Sequence, residues 1–387
     1  MKNDKVQHLR NVPNLRFGEF TDEYTLKYIS DISSRITAGG TPSTKNPSYW
    51  LNGTVPWMSS GEVNKRILID TDKYITEEGL SNSSTKMIQN KSVLMALAGQ
   101  GKTRGMVAVN EIPLCTNQSI GVIELDNKYQ DYKYLYYNLL REYKKLRIWS
   151  STGEGRGGIN LKFISDWKLN FPSLKEQKTV SQYLDLIDKK ISLIGEKTKN
   201  LKLFKKGFAK KLFEDIIGKQ KIALTDIYLV KTGTRNNQDK EMNGIYPFFV
   251  RSQNIEHINT YSYDEEAILI PGEGKIGDIY HYASGKFEVH QRVYKITSKS
   301  SDISIKFLYY YMEQYFKRHA LSYSVKATVD SLRMIVFESF NIPILDMNSQ
   351  KEITFKMEYL DMKVKHVSDN LETLKQFKKG LLQQMFI

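Results

Sequence analysis

The chain has 387 residues, enough for two or three domains, with 57 Lys+Arg against 43 Asp+Glu and a formal net charge of +14, an excess that points to a polyanion such as nucleic acid or an acidic membrane surface. One cysteine, Cys115, excludes an internal disulfide and a cysteine-built zinc site. The opening Met1-Lys2-Asn3-Asp4-Lys5 lacks the apolar stretch of a secretory signal, and no apolar run approaches the roughly 20 residues of a membrane span, so a cytoplasmic protein with no membrane partner is expected.

In chain order, short apolar runs come first. Ser92–Leu97, Gly105–Val109 and Ser119–Ile123, separated by Gly, Asn and Pro, read as strands and turns. Tyr132 to Ile148 carries apolar and aromatic residues at helical spacing. Thr152 to Gly158 reads as an exposed loop, and Pro172 stops the strand before it, so that a helix can start beyond. That helix has a heptad stripe at Val180, Leu184, Ile187, Ile191, Ile194, Leu201 and Phe208, broken at Thr198 and Lys205.

The second half repeats the first. Leu201-Lys202-Leu203-Phe204-Lys205-Lys206-Gly207 recurs 173 residues later as Leu374-Lys375-Gln376-Phe377-Lys378-Lys379-Gly380. The same interval of 173 relates Gln177 to Gln350, Asp188 to Asp361, Gln118 to Gln291, Lys133–Tyr137 to Lys306–Tyr310 and Gly99-Gln100-Gly101-Lys102 to Gly272-Glu273-Gly274-Lys275. A second helix is expected at Ile305 to Arg318, a loop over 322–328, and a second stripe at Ile353, Met357, Leu360, Val364, Val367, Leu371, Leu374 and Leu381, which skips Lys378. A repeat this long is a duplicated domain with its helix, not a solenoid unit. Each long helix spans about 35–40 residues, roughly 55–60 Å. A narrow stripe needs a partner stripe, and the nearest is the copy in the same chain.

Two variable α/β domains, each followed by a long heptad helix ending in Phe-Lys-Lys-Gly, resemble the specificity subunit of type I restriction–modification systems. Gly39-Gly40-Thr41-Pro42-Ser43 with Tyr49-Trp50, then Val55-Pro56-Trp57-Met58-Ser59-Ser60, Leu114-Cys115-Thr116-Asn117-Gln118-Ser119 and Glu176-Gln177-Lys178 add to the resemblance. The second domain departs from it, with Thr232-Gly233-Thr234-Arg235-Asn236-Asn237 in place of the Gly-Gly-Thr-Pro-Ser element. The resemblance implies a mixed α/β fold with an internal pseudo-two-fold: target-recognition domains at 1–173 and 219–344, joined by antiparallel coiled-coil helices at 174–218 and 345–387. It implies a non-catalytic chain in which each domain reads half of a bipartite, asymmetric duplex target. The helices would set the spacing and bind two methyltransferase subunits, which restriction and translocating subunits then join. S-adenosylmethionine, ATP and magnesium would sit on those partners, and this chain would carry no cofactor and no metal.

Base reading calls for Arg, Lys, Asn, Gln, Ser, Thr or Glu on loops that reach a groove. The candidates are Ser59, Ser60, Glu62, Gln100, Lys102, Thr103, Arg104 and Arg156 in the first domain, and Arg251, Ser252, Gln253, Asn254, Lys275 and Lys326 in the second. Asn117-Gln118 and His290-Gln291 are expected to brace turns instead. The coiled-coil interface is expected at Leu184, Ile187, Ile191, Ile194 and Leu201, facing Met357, Leu360, Val364, Val367, Leu371 and Leu374.

Two motifs imitate other functions. Gly99-Gln100-Gly101-Lys102-Thr103 is an incomplete phosphate loop with strand-like residues after it, and Asn46-Pro47-Ser48-Tyr49 is a methyltransferase-like motif without a glycine-rich cofactor loop. The competing functions are a stand-alone nucleic-acid enzyme, such as a methyltransferase, and a basic coiled-coil scaffold.

Overall fold

The computed structural model describes residues 11–99, 102–152, 158–274, 276–323 and 331–387. The chain divides into two compact units, residues 1–193 with 371–387, and residues 194–370. Both long helices, Leu174–Glu214 and Met347–Gln384, run from one unit into the other, so each unit holds one α/β domain and a piece of each helix. The first ends at Glu214, and residues 215–218 form turns.

In the first unit a five-stranded sheet has the order Ser33–Ala38, Ile120–Leu125, Val93–Ala96, Val107–Asn110, Ile67–Leu68. Val93–Ala96 and residues 107–109 are continuous apolar runs because both faces of the sheet are covered. Val93, Met95, Val107, Val109 and Ile123 face the core under the helix Tyr132–Thr152. Leu94, Ala96, Ala108, Ile120 and Val122 fill a second core on the other face. A smaller sheet pairs Val55–Met58 antiparallel with Lys73–Ile75 and parallel with Cys115–Thr116.

The second unit repeats this plan with four strands, in the order Tyr228–Thr232, Val293–Ser298, Ala267–Pro271, His281–Ala283. Ile268 and Ile270 face the core under the helix Ile305–Tyr323, while Ala267 and Leu269 face a second core. Its small sheet sets Tyr246–Phe249 parallel to Lys286–Val289. In each unit a two-stranded ribbon closes the domain next to the long helix, Thr25–Tyr28 with Lys168–Phe171 and Lys221–Ala223 with Asn341–Pro343.

The duplicated residues make duplicated contacts. Gln177 accepts the Asp131 amide at 3.1 Å and donates to the Pro172 carbonyl at 2.9 Å. Gln350 accepts the Ser304 amide at 2.9 Å and donates to the Leu345 carbonyl at 2.8 Å. Each glutamine thus fastens its long helix to the start of the domain helix. Glu176 adds a tie in the first unit, taking both Nε and Nη2 of Arg16 at 2.7 Å and the Tyr24 hydroxyl at 2.9 Å.

The long helices pack antiparallel within each unit. Val180, Leu184 and Ile187 share a core with Leu381, Leu382, Met385 and Phe386, and Phe208, Ala209 and Phe213 share one with Ile353 and Met357. Of the expected seam, Leu184, Met357 and Leu360 are buried, while Ile187, Ile191, Ile194, Leu201, Val364, Val367, Leu371 and Leu374 are half-buried.

The positions where the stripe breaks are where the polar contacts sit. Thr198 is buried and its hydroxyl returns to the Ile194 carbonyl at 2.7 Å. Lys378 is 5 % exposed and its Nζ lies 2.6 Å from both Asp188 oxygens. The Tyr137 hydroxyl donates to Asp188 and Asp185, and Lys133 pairs with Asp185. The second unit repeats the cluster, with Lys205 on Asp361, the Tyr310 hydroxyl on Asp361 at 2.8 Å and Lys306 on Glu358 at 2.5 Å.

Cys115 is fully buried beside Val55, Trp57 and Ile75, and burial pushes its thiol up to about 11. The folded chain is therefore expected to resist iodoacetamide at neutral pH and to be alkylated at Cys115 once unfolded. Fast labelling of the native protein, read by mass spectrometry, would show that this core is open.

Candidate nucleic-acid interface

The two domains share a backbone frame at the ends of their strands. In the first, Gly40 N–H donates to the Thr116 carbonyl at 2.8 Å and Asn117 N–H to the Met58 carbonyl at 3.1 Å. In the second, Arg235 N–H donates to the Val289 carbonyl at 3.3 Å and His290 N–H to the Phe249 carbonyl at 3.0 Å. One glycine in each domain makes this crossing possible. A Cβ on Gly39 would lie 2.0 Å from the Thr116 carbonyl oxygen, and one on Gly233 would lie 2.1 Å from that of Val289. The second domain thus keeps the glycine of the element its sequence otherwise lacks.

The side chains carried by this frame differ. Two residues past Met58 stands Ser60, and two past Phe249 stands Arg251. The carbonyl that receives the Leu97 amide belongs to Ser119, and the one that receives the Gly272 amide belongs to Arg292.

In the first domain Ser59 and Ser60 are half-buried at the turn after Val55–Met58. Glu62 needs correction as a base reader. It is buried, with one carboxylate oxygen taking the Ser59 amide and hydroxyl and the other taking Lys65 Nζ and the Asp72 amide. Ser59-Ser60-Gly61-Glu62 is a capping box, and no acceptor site is left for a cytosine. Beyond Gly101 the loop leans on the domain helix: the Lys102 carbonyl accepts the Tyr143 hydroxyl at 2.6 Å, and Arg104 Nη1 reaches the Ser150 carbonyl at 3.3 Å. Lys102 is exposed and Thr103 half-buried. Asn117 braces its turn by accepting the Ser119 amide, and Gln118, exposed, accepts the Thr41 hydroxyl at 2.6 Å. Gln100, Arg156, Lys275 and Lys326 lie outside the described residues.

In the second domain the candidates gather at open clefts. One of about 450 Å³ is lined by Asn237, Arg251, Ser252, Glu256, Glu273 and His290. Another, of about 680 Å³, shares Arg251 and Glu273 and adds Asn236, Gln238, Gln291 and Arg292. Glu273 takes Arg251 Nη1 on one oxygen at 2.9 Å and Arg292 Nη1 on the other. Desolvation favours its neutral form, but the hydrogen bonds and charge of the two arginines outweigh this and hold its carboxyl below the usual range. Ser252 donates to the Asn254 carbonyl at 3.0 Å, which shapes the turn that exposes Gln253 and Asn254. His281 and His290 both titrate below their ordinary value, burial being the leading cause in each. His290 Nδ1 accepts the Arg292 amide, so His290 braces the turn as expected. Gln291 is exposed and donates to Asn236.

Asn236, Asn237, Gln238, Gln291 and Arg292 were not among the sequence candidates. A usable signal existed in Thr234-Arg235-Asn236-Asn237-Gln238, an unbroken polar run directly after the frame glycine Gly233. Among the described residues, no group of three or more His, Cys, Asp or Glu is placed to hold a metal, and no helix is long and apolar enough to cross a membrane.

Comparison with known proteins agrees with this arrangement. The model of the family described as the type I restriction modification DNA specificity domain matches residues 21–203 and 217–376. The specificity subunit of the Escherichia coli type I restriction enzyme EcoR124I/EcoR124II is 30 % identical over 41 % of this chain, a match spanning 39 % of that subunit. That of the MjaVIII enzyme of Methanocaldococcus jannaschii is 22 % identical over 98 % of this chain and 94 % of its own length. Among solved structures, the S subunit of a type I restriction–modification system from M. genitalium matches 97 % of this chain and 99 % of its own, with a TM-score of 0.68 at 15 % identity, which shows a shared fold. A chain from a study of complex assembly and conformational transition in the type I system gives a TM-score of 0.57 at 13 % identity over 94 % of this chain. The paired family matches and the paired backbone frames lead to one conclusion: this chain belongs to the type I restriction modification DNA specificity domain family.

Proposed function

We propose that this chain is the DNA-reading, non-catalytic subunit of a type I restriction–modification complex, each α/β domain taking one half of a bipartite, asymmetric duplex target. The observation that carries this is the common frame with exchanged side chains. Gly39 and Gly233 make the same backbone crossing, while Ser60 and Ser119 in one domain stand where Arg251 and Arg292 stand in the other. A fold kept constant under exchanged polar tips is what reading two different half-sites requires. The net charge of +14 supplies phosphate attraction.

The long helices set the spacing and dock two methyltransferase subunits, to which restriction subunits add. Leu186, Leu203, Phe204, Phe355, Met362 and Phe377 leave apolar surface exposed on these helices, which suits a protein partner. S-adenosylmethionine, ATP and magnesium belong to those partners.

The test is reconstitution with cognate methyltransferase subunits. The assembled complex is expected to methylate adenine in a two-part sequence and the isolated chain to transfer no methyl group. Binding should weaken with salt at a log–log slope of about −0.9 per phosphate contact, and Lys102→Ala should make that slope shallower by about one contact without changing sequence preference. Methyl transfer by the chain alone, or no base preference in the complex, would overturn the assignment.

A further inference from the structure

Resting on that reading, we propose that Arg251 and Arg292, held on the two oxygens of Glu273, read guanine in the half-site taken by the second domain, with Glu273 as their positioning residue. The three side chains come from loops following three different strands, Tyr246–Phe249, Ala267–Pro271 and the one ending at Val289, and they converge at the lip of the clefts. Each guanidinium spends one Nη1 donor on Glu273, and both arginines stay half exposed, at 50 % and 57 %. The remaining N–H edge of each fork matches the O6 and N7 acceptors of guanine.

Three features separate this bracket from an ordinary surface ion pair. The fold does not need it, because the first domain builds the same backbone with Ser60 and Ser119. The backbone is shaped to present the carboxylate: Glu273 lies between Gly272 and Gly274, and Gly274 has φ +90, a conformation that favours glycine. A carboxylate on a phosphate-facing surface also weakens non-specific attraction, so placing one between two arginines gives up charge in return for fixed orientation. Fixing a long side chain before binding removes entropy loss from the recognition step. Asn236, Asn237, Gln238 and Gln291 around the bracket supply further groove-reading donors and acceptors.

The experiment selects bound duplexes from a randomised pool with the full complex at fixed salt, for the wild type and for R251A, R292A, R292K and E273Q, each checked by thermal melting. The wild type is expected to enrich guanine at one or two positions of one half-site. R251A and R292A should each lose that preference at one position by tenfold or more and leave the other half-site unchanged. R292K keeps the charge but not the fork, and should fail to restore guanine. E273Q should blunt guanine selection while non-specific binding stays level or rises, an outcome that lost folding would not produce. Uniform weakening in R251A and R292A with every base preference intact would mean phosphate clamping and overturn the proposal, leaving the specificity assignment standing. A wild-type complex with no preference anywhere would instead defeat the underlying assignment.

Discussion

Asp188→Ala is expected to destabilise the first unit by about 3–5 kcal/mol, because it strands a buried ammonium. Lys378 is nearly fully enclosed, and both Asp188 oxygens answer its charge at 2.6 Å. Removing Lys378 should be milder. In Lys378→Met the carboxylate keeps the Tyr137 hydroxyl and some water, and the expected loss is about 1–2 kcal/mol. The double variant D188L/K378M should recover to within about 1 kcal/mol of wild type, since an apolar pair of similar volume replaces a buried ion pair without stranding either charge. Urea unfolding followed by helical circular dichroism reads all three. Burial is the leading cause that lowers Lys378 below its ordinary value, and Asp188 offsets it only in part. The unfolded chain therefore holds this proton more tightly, so stability contributed by Lys378 rises with pH as the folded group deprotonates, up to the ordinary value of 10.5. The wild-type-minus-K378M difference should follow that rise. Equal stability for D188A and wild type would show the cluster to be solvent-screened.

Gly39→Ala and Gly233→Ala should each cost about 3 kcal/mol or more and silence one half-site only. The added methyl meets backbone, a carbonyl oxygen 2.0 Å away in the first domain and 2.1 Å away in the second. No rotamer change relieves such a contact, so the crossing segment must move and the bonds from Gly40 to Thr116 or from Arg235 to Val289 must open. In the assembled complex, duplex selection with G233A should keep the first domain's bases and randomise the second's, with G39A doing the reverse. Intact reading of both halves by either variant would refute the shared-frame account.

The duplication was legible because it rests on residues whose job is local and repeated. Gln177 and Gln350 fasten equivalent helices, and Asp188 and Asp361 answer equivalent lysines, so both pairs recur at one interval. The heptad stripe also showed where it failed, at Lys205 and Lys378, but periodicity cannot say which carboxylate fills a gap, since that depends on register between distant segments. The same limit applied to the interface. Arg292 belongs to no sequence pattern of its own beside His290-Gln291, and only folding brings it to Glu273. Glu62 differs from the base-reading expectation because the Ser-x-x-Glu spacing turns its carboxylate back onto the Ser59 amide.

The repeated lysine–aspartate clamp has a consequence for assembly of the chain. Asp188 and Lys205 lie 17 residues apart on one helix, and Asp361 and Lys378 lie 17 apart on the other. An antiparallel pair made from the same helix of two separate molecules would match these charges as well as the native pair does. Electrostatics therefore does not distinguish self from neighbour, and the distinction falls to the tether, which keeps the native mate at an effective concentration of about millimolar. Crowded refolding erodes that advantage and favours interlocked, strand-exchanged dimers, so this sequence is best renatured dilute.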